Sequence, residues 1–283
     1  MLNKIKKVTK RPKKFLNLFR YPLASSSLYL SSSLYKKFDV KYKENPFKNT
    51  LNTNGLILLL NQRDIKINNK TISIEKFLED DEILDWVDKD NRKRLSDLFT
   101  DFGSDKSQIH NYHFIYQPII DKLIFNSKKL LISEIGLGTN NIDTFSNMGI
   151  LGSPGASARA FKNYDKKINY FGGDIDKRIL FQEDRIKTKY VDQLDIKSLM
   201  SFLSTENNID LIIDDGLHTN HSNINFLASA LSVIGDTKGK WIVIEDISFQ
   251  NTPIWEYIST YLSTKYKIWL IKTKKSLMFV LLT

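Results

Sequence analysis

The 283-residue sequence contains no cysteine. This absence excludes disulfide bridges and thiolate metal ligands, so a bound metal must be held by oxygen or imidazole. Long hydrophobic runs are missing too: the most apolar stretch, Leu56 to Leu60, is far shorter than the roughly 20 residues that cross a bilayer. The N-terminus also lacks the apolar core and the small-residue cleavage site of a signal peptide. We therefore expect a soluble, cytoplasmic protein.

Acidic residues are scarce near the N-terminus, whereas the whole chain carries a net charge of +10. Residues 1–50 contain 13 of the 42 lysines and arginines but only Asp39 and Glu44 as acids, so the rest of the chain is close to neutral. A near-neutral remainder offers no basic groove for a phosphate backbone, and we expect no nucleic-acid partner. Residues 1–50 are predicted to be a basic, flexible or partly ordered arm. It is either a solvated tail or a weak contact to a membrane surface or partner.

Residues 51–95 are predicted to form a small accessory region. Ile65 and Ile67 alternate with polar residues, and Ile72 and Ile74 do so after a turn, which predicts a hairpin. The following stretch, Glu75 to Trp86, is predicted to be helical.

Residues 96–283 are predicted to form one α/β domain, because short apolar strands alternate there with helical patterns from Leu130 onwards. We expect a doubly wound, mostly parallel, seven-stranded Rossmann-like sheet. The predicted strands lie near Leu130 to Ile135, Ile168 to Gly172, Ile186 to Val191, Ile209 to Ile213, Trp241 to Ile244, Lys267 to Lys272 and Leu277 to Leu282. The last two are joined too closely for a parallel crossover and must pair antiparallel.

A glycine-containing turn follows the first strand of this domain, with Glu134 beside Gly136 and Gly138. Its glycines allow the backbone to approach a ligand closely. The Glu134 carboxylate would repel a pyrophosphate but attract the ammonium group of S-adenosylmethionine (SAM). Asn140 replaces the third glycine of a dinucleotide fingerprint. The turn therefore favours SAM over a nicotinamide cofactor.

Polar residues also follow the second and third strands. Asp174 ends the second strand, where a carboxylate can accept hydrogen bonds from ribose hydroxyls; a helix-capping role for Asp174 or Asp176 is the alternative. Asp192 and Gln193 follow the third strand, where a polar side chain can meet the adenine amino group. All three predicted cofactor ligands would lie at the carboxyl edge of the sheet.

Carboxylates and one imidazole follow the next two strands: Asp214, Asp215 and His218 after one, Glu245 and Asp246 after the other. Crowded carboxylates remain ionised most simply around a divalent cation, and oxygen ligation favours Mg²⁺, with Mn²⁺ as the alternative. His218 is then a natural general base, since histidine titrates near neutral pH. The structural alternative is a helix cap or a solvated loop at each position.

The ordered series EIGLG, GSPGASARAF, GGDIDKRILF, VDQLD, IDDGLH and IED resembles the metal-dependent sugar O-methyltransferases of the macrocin and mycinamicin type. That family is also similar to cephalosporin hydroxylase-like proteins. The resemblance covers residues 96–283 and implies a class I methyltransferase fold, with SAM beside Glu134, Gly136, Gly138, Asp174 and Asp214. It also implies Mg²⁺ on Asp215, Glu245 and Asp246, with His218 as the base.

The upstream GSDKSQIHNY also resembles that family, and a helix is predicted to carry His110, Tyr112, Phe114 and Tyr116. The resemblance implies that Asp105, Lys106, His110 and Tyr112 belong to a segment folding over SAM or the acceptor. The implied acceptor is a glycosyl hydroxyl of a polysaccharide or glycosylated metabolite. Leu217 stands where the family has a small Ser, which leaves the acceptor open, and the chain is either a monomer or a homo-oligomer. Two other hypotheses remain: a nicotinamide-dependent oxidoreductase, and a non-catalytic module that binds through its basic arm.

Overall fold

The computed structural model describes residues 70–87 and 93–283. The predicted arm and the first strand of the predicted hairpin lie outside these residues. The strands are β1 (Ile72–Ser73), β2 (Leu130–Ile135), β3 (Ile168–Asp174), β4 (Gln182–Glu183), β5 (Ile186–Tyr190), β6 (Leu211–Asp214), β7 (Trp241–Ile247), β8 (Lys267–Lys272) and β9 (Leu277–Leu282). The α-helices are α1 (Ile74–Leu78), α2 (Lys93–Asp101), α3 (His113–Asn126), α4 (Ala156–Tyr164), α5 (Ile196–Leu203), α6 (Asn220–Ile234) and α7 (Thr252–Leu262).

The strands form one sheet in the order β1-β8-β9-β7-β6-β2-β3-β5-β4. All neighbours are parallel except the pairs that involve β9 or β4. The mostly parallel α/β sheet predicted from the sequence is confirmed, and so is the antiparallel hairpin of β8 and β9. Two short edge strands, β1 and β4, extend the seven predicted ones.

Helices cover both faces of the sheet. Successive apolar residues of its strands point to opposite faces, and both sets of side chains have to be buried. Trp241 and Val243 of β7 point into the core cluster that contains residues of α2, α3 and α4. On the opposite face, Phe202 of α5 stacks on Phe171 of β3, with ring centroids 4.5 Å apart. A doubly wound sheet of this kind leaves the carboxyl ends of its parallel strands open for a ligand.

Three local predictions were wrong. Ile74 is not in a strand: the Ser73 side chain accepts a hydrogen bond from Lys76 N and starts helix α1. The helix predicted over Glu75 to Trp86 is broken into α1 and a 3₁₀ turn at Leu84–Trp86, because the Asp80 side chain accepts from Glu82 N and stabilises a turn instead.

His110 and Tyr112 were expected on a helix but precede it, because Asn111 takes a left-handed conformation (φ 64°) and α3 begins only at His113. Asn tolerates this conformation better than most residues. In the described ranges 70–87 and 93–283, no helix combines the length and apolar character needed to cross a membrane.

His113, at the start of α3, gives a prediction for acid stability. It is 8% exposed, and burial lowers its pKa from 6.5 to about 4. As the pH falls, the unfolded chain protonates His113 before the folded chain does. The free energy of unfolding therefore keeps its full value above pH 6.5 and decreases as the pH drops towards 4. The loss amounts to about 3 kcal/mol for this residue. Urea unfolding at pH 7 and pH 4 should show a smaller loss for His113→Phe than for the natural chain.

The matched control for that measurement is His221→Phe, since His221 is an exposed histidine of the same domain. Its pH dependence should match that of the natural chain. Equal losses in all three proteins would show that His113 titrates normally in the folded state.

Candidate active site

Sheet register brings the predicted site residues to one level. Ile135 of β2 pairs with Asp214 of β6, which pairs in turn with Ile244 of β7. Each of these three paired residues has one of the predicted acids next to it in the chain: Glu134 before Ile135, Asp215 after Asp214 and Glu245 after Ile244. Since side chains alternate along a strand, these three acids share one side of the sheet while Asp214 points to the other. The acids therefore form two different environments.

Glu134, Asp215 and Glu245, here called the inner carboxylate group, surround the ammonium of Lys106. Lys106 Nζ lies 2.6 Å from Asp215 Oδ2, 2.7 Å from Glu245 Oε2 and 3.1 Å from Glu134 Oε1. The lysine is only 2% exposed. Burial disfavours a charged lysine, but Asp215, Glu134 and Glu245 outweigh it and hold its pKa well above the usual range. Lys106 is a buried ion-pair partner of all three acids.

Hydroxyl groups complete the inner carboxylate group. Tyr170 and Ser157 donate to Glu134 Oε2, the latter at 2.7 Å, and Tyr116 donates to Glu245 Oε1. Burial raises the pKa of Glu245, and the nearby Asp215 charge raises it further. Hydrogen bonds and ion pairs of this kind offset the free-energy cost of burying a carboxylate.

Asp215, His218 and Asp246, here called the outer group, lie closer to solvent. Each offers a ligand atom within 4.8 Å of the others, and His218 Nε2 lies 3.8 Å from Asp215 Oδ1. His218 and Asp246 both have positive φ angles, 56° and 51°. Side chains other than Gly seldom adopt that conformation, and it concentrates at functional sites. A register shift between Ile244 and Ile247 accompanies Asp246 and turns it away from the regular ladder.

The segment of residues 104–112, here called the cover segment, lies against both groups. Besides the Lys106 contacts, Tyr112 donates to Asp246 Oδ1 at 2.7 Å, and His110 Nδ1 lies 3.3 Å from the same oxygen. His110 Nε2 lies 3.5 Å from Asp105 Oδ2. Burial alone would lower the His110 pKa, but these two carboxylates raise it to about 9, so the imidazole is charged at neutral pH. Burial also raises the pKa of Asp246, yet its contacts with His110, His218 and Tyr112 bring it below the usual range.

The glycine-containing turn after β2 is fastened to the end of β3. Asp174 Oδ2 accepts from Leu137 N at 2.8 Å, and its other oxygen accepts from Asp176 N. Gly136 and Gly138 have φ angles of 97° and 74°, and a Cβ on Gly138 would lie 2.2 Å from Met148 Sδ. Only glycine fits there without displacing a neighbour. The turn is thus a tight backbone curve held by Asp174.

Asp176, rather than Asp174, makes the capping contact. Its side chain accepts from Arg178 N at the start of the 3₁₀ turn Lys177–Ile179, and also from Thr139 and Asn141. Of the two residues considered for a capping role, Asp176 caps the 3₁₀ turn. Asp174 ends strand β3, which is the position predicted for ribose binding.

Asp214 lies on the other side of the sheet from the inner carboxylate group and meets Gln193. Gln193 Nε2 donates to Asp214 Oδ1 at 2.5 Å, and its Oε1 accepts from Leu217 N at 2.8 Å. Burial raises the pKa of Asp214 to about 6. The second oxygen, Oδ2, is buried and finds no hydrogen-bond partner among the described residues. Asp192 accepts from Leu194 N nearby.

An unpartnered buried carboxylate oxygen at this edge fits a hydrogen-bond donor from a bound cofactor such as SAM. The carboxylate oxygens of the outer group, on Asp215 and Asp246, fit Mg²⁺ or Mn²⁺. The predicted metal ligands do not form one cluster: Asp215 and Asp246 meet in the outer group, whereas Glu245 joins Asp215 in the inner one. Lys106 lies within the inner group, so the outer group is the more open to an ion.

Tyr116, Tyr170 and Ser157 were missed by the sequence analysis. The signal that could have found the tyrosines is their position: both fall at buried positions of predicted elements, where a phenol needs a hydrogen-bond partner. Ser157 follows the glycine-rich GSPG stretch and offers no comparable signal.

The chain is similar in sequence and in fold to known methyltransferases. No protein-family model matches the chain. Among curated proteins, it is similar to the 8-demethyl-8-alpha-L-rhamnosyl tetracenomycin-C 2'-O-methyltransferase of Streptomyces olivaceus, with 26% identity over 162 residues, 57% of this chain and 40% of that protein. Among solved structures, it is similar to the MycE methyltransferase from the mycinamycin biosynthetic pathway in complex with Mg, SAH and mycinamycin VI. That match has a TM-score of 0.50, 19% identity, and covers 66% of this chain and 54% of the other.

A second structure of MycE, in complex with Mg and SAH, is 25% identical over 54% of this chain and 37% of the other, with a TM-score of 0.43. The sheet order and the structural match with a TM-score of 0.50 show an α/β, Rossmann-like fold of the kind found in methyltransferases. In sequence the chain is similar to the sugar O-methyltransferase named above, in agreement with the resemblance seen in the sequence analysis. The chain spans about two fifths of the length of the curated relative that it matches.

Proposed function

We propose that this chain is a SAM-dependent, divalent-cation-assisted O-methyltransferase that acts on a hydroxyl group of a sugar. The observation that carries the proposal is the outer group: two carboxylates and an imidazole within 4.8 Å of one another, at the same sheet edge as the glycine-containing turn. The related protein from Streptomyces olivaceus, named as a 2'-O-methyltransferase of a rhamnosyl compound, supports the sugar acceptor.

The proposed cofactor contacts follow from positions at the strand ends. Asp174 is to accept from the ribose hydroxyls, Asp214 Oδ2 from a donor on the methionine part, and the Asp192 and Gln193 region is to lie near the adenine. The curved backbone at Gly136 and Gly138 leaves no side chain between the turn and a ligand. Glu134, which pairs with Lys106, would contribute negative charge behind the site rather than a direct contact.

His218 is the proposed general base, with Nε2 accepting the proton of the acceptor hydroxyl. The deprotonated oxygen would then be the nucleophile for the methyl carbon of SAM held by Asp174 and Asp214, and the sulfur would keep the electron pair of the broken carbon–sulfur bond. When bound, SAM supplies a methyl group on a sulfonium leaving group, and the cation makes the hydroxyl more acidic. The protein aligns these groups.

Removing the divalent cation should stop the reaction. We expect treatment with EDTA, followed by its removal, to lower methyl transfer from labelled SAM to a panel of methyl glycosides by at least about 100-fold. Mg²⁺ or Mn²⁺ should restore it, because the ion stabilises negative charge that develops on the acceptor oxygen. Product formation is measured by mass spectrometry as a gain of one methyl group.

Calorimetric titration with SAM and, separately, with NAD is the control for cofactor identity. The proposal requires binding of SAM with or without the divalent ion. Full transfer activity in EDTA would contradict the role of the cation, and binding of NAD without SAM would favour the oxidoreductase hypothesis.

A further inference from the structure

Lys106 occupies the part of the site where three acids converge. Three carboxylates approach its ammonium within 3.1 Å. One ammonium faces three carboxyl groups, so the inner carboxylate group carries an excess of negative charge in a buried place even when Glu245 holds a proton. Such a group attracts any further cation that can reach it.

The cover segment contacts every predicted metal ligand. Lys106 contacts Asp215 and Glu245, while Tyr112 contacts Asp246. The segment is compact in itself, since Tyr112 N donates to the Lys106 carbonyl at 2.8 Å. The ion pairs of Lys106 with Glu134, Asp215 and Glu245 attach this segment to the ends of β2, β6 and β7, so that their loss removes one of its attachments to the sheet.

We propose that Lys106 is an internal competitor of the divalent cation: an ion that binds at Asp215 displaces the Lys106 ammonium from the inner carboxylate group and loosens the cover segment. The inference rests on the proposed function, because it describes how the cation of that reaction gains its site. It extends that function with a coupling between cation binding and the segment over the site.

The physical reason is that Asp215 belongs to both groups. Its Oδ2 holds Lys106 at 2.6 Å, and its Oδ1 faces His218 in the outer group. A divalent ion on this carboxylate would lie within a few ångströms of the ammonium and repel it, while it also withdraws the negative charge that holds Lys106. Low local dielectric makes that repulsion strong. Lys106 must therefore weaken cation binding, and cation binding must weaken the hold on Lys106.

The first test measures Mn²⁺ affinity by electron paramagnetic resonance without SAM or acceptor. Lys106→Met removes the charge but keeps an unbranched side chain, and we expect it to bind Mn²⁺ at least tenfold more tightly than the natural chain. Lys106→Arg keeps the charge and should bind within threefold of it. Lys240→Met is the matched control, because Lys240 is a partly buried lysine paired with Asp210 at the opposite edge of the sheet. Unchanged or weaker binding by a folded Lys106→Met would overturn the proposal.

The second test needs no variant. Hydrogen exchange of the natural chain, with and without Mg²⁺, should show faster exchange of the amides of residues 109–112 when the ion is present. Unchanged or slower exchange there would overturn the proposal even if Lys106→Met does not fold. Neither test involves methyl transfer. A negative result in them would overturn the competition between Lys106 and the cation, whereas the proposed function fails only if the transfer assay is negative.

Discussion

Asp215→Asn is expected to lower methyl transfer by about 10²- to 10³-fold, the usual effect of removing one electrostatic group from a catalytic site. Asp215 is the one residue that the inner carboxylate group and the outer group share. Asparagine keeps the size of the side chain but removes its charge. The outer group then retains a single carboxylate, Asp246, and Mn²⁺ affinity should fall by at least tenfold in the same protein. The two measurements are the initial rate with saturating SAM and a Mn²⁺ titration.

Folding must be separated from chemistry in this variant, because Asp215 also holds Lys106. Glu134 and Glu245 still pair with that lysine, at 3.1 and 2.7 Å, so the fold should persist. SAM affinity should stay within threefold of that of the natural chain. Asp236→Asn, at a 93% exposed carboxylate in the loop before β7, is the matched control and should change neither quantity. A folded Asp215→Asn with normal transfer would refute the cation site.

The sequence predicted the main sheet well because each strand carries a short apolar run bounded by polar residues. Leu130–Ile135 and Leu277–Leu282 were predicted at the bounds that the structure has. The convergence of the acids could also be foreseen, since the carboxyl ends of parallel strands meet at one edge. Strand order and the presence of two short edge strands depend on long-range pairing, which periodicity does not contain.

Side-chain partners could not be predicted in the same way. Glu134 was expected to face a ligand, but its oxygens meet Tyr170, Ser157 and Lys106 of the chain itself. Nothing in the spacing of these residues brings them together; the pairing arises from packing of α4, β3 and the cover segment against β2. The division of the predicted metal ligands into two groups has the same origin. Glu245 follows the pleat of β7, whereas Asp246 is turned aside by the irregular register beside it.

Left-handed backbone at His218 and Asp246 also escaped the sequence analysis. Neither residue type signals a positive φ as glycine does, and the conformation is imposed by the loops after β6 and β7. This strain is stabilised by the surrounding packing, and both side chains thereby reach the same space as Asp215. The backbone conformation of His218 and Asp246 is thus a second indication, besides their residue types, that both positions are functional.

His218→Asn is expected to lower kcat by about 10²- to 10⁴-fold, the usual contribution of a general base. Asn is chosen because it tolerates the left-handed backbone that His218 adopts, at φ 56°, so the loop should keep its shape. Its amide cannot accept the proton of a sugar hydroxyl at neutral pH. Mn²⁺ binding at the outer group should change much less than in Asp215→Asn, since both carboxylates remain. The measurements are kcat and KM for SAM.

The matched control is His221→Asn, an exposed histidine three residues further along the chain, in helix α6. It should leave kcat within twofold of the natural value. A His218→Asn variant that loses SAM affinity but keeps kcat would instead place His218 in cofactor binding. A variant that keeps both its SAM affinity and its kcat would show that solvent, and not His218, accepts the proton of the hydroxyl. His218 would then act only as a cation ligand in the outer group.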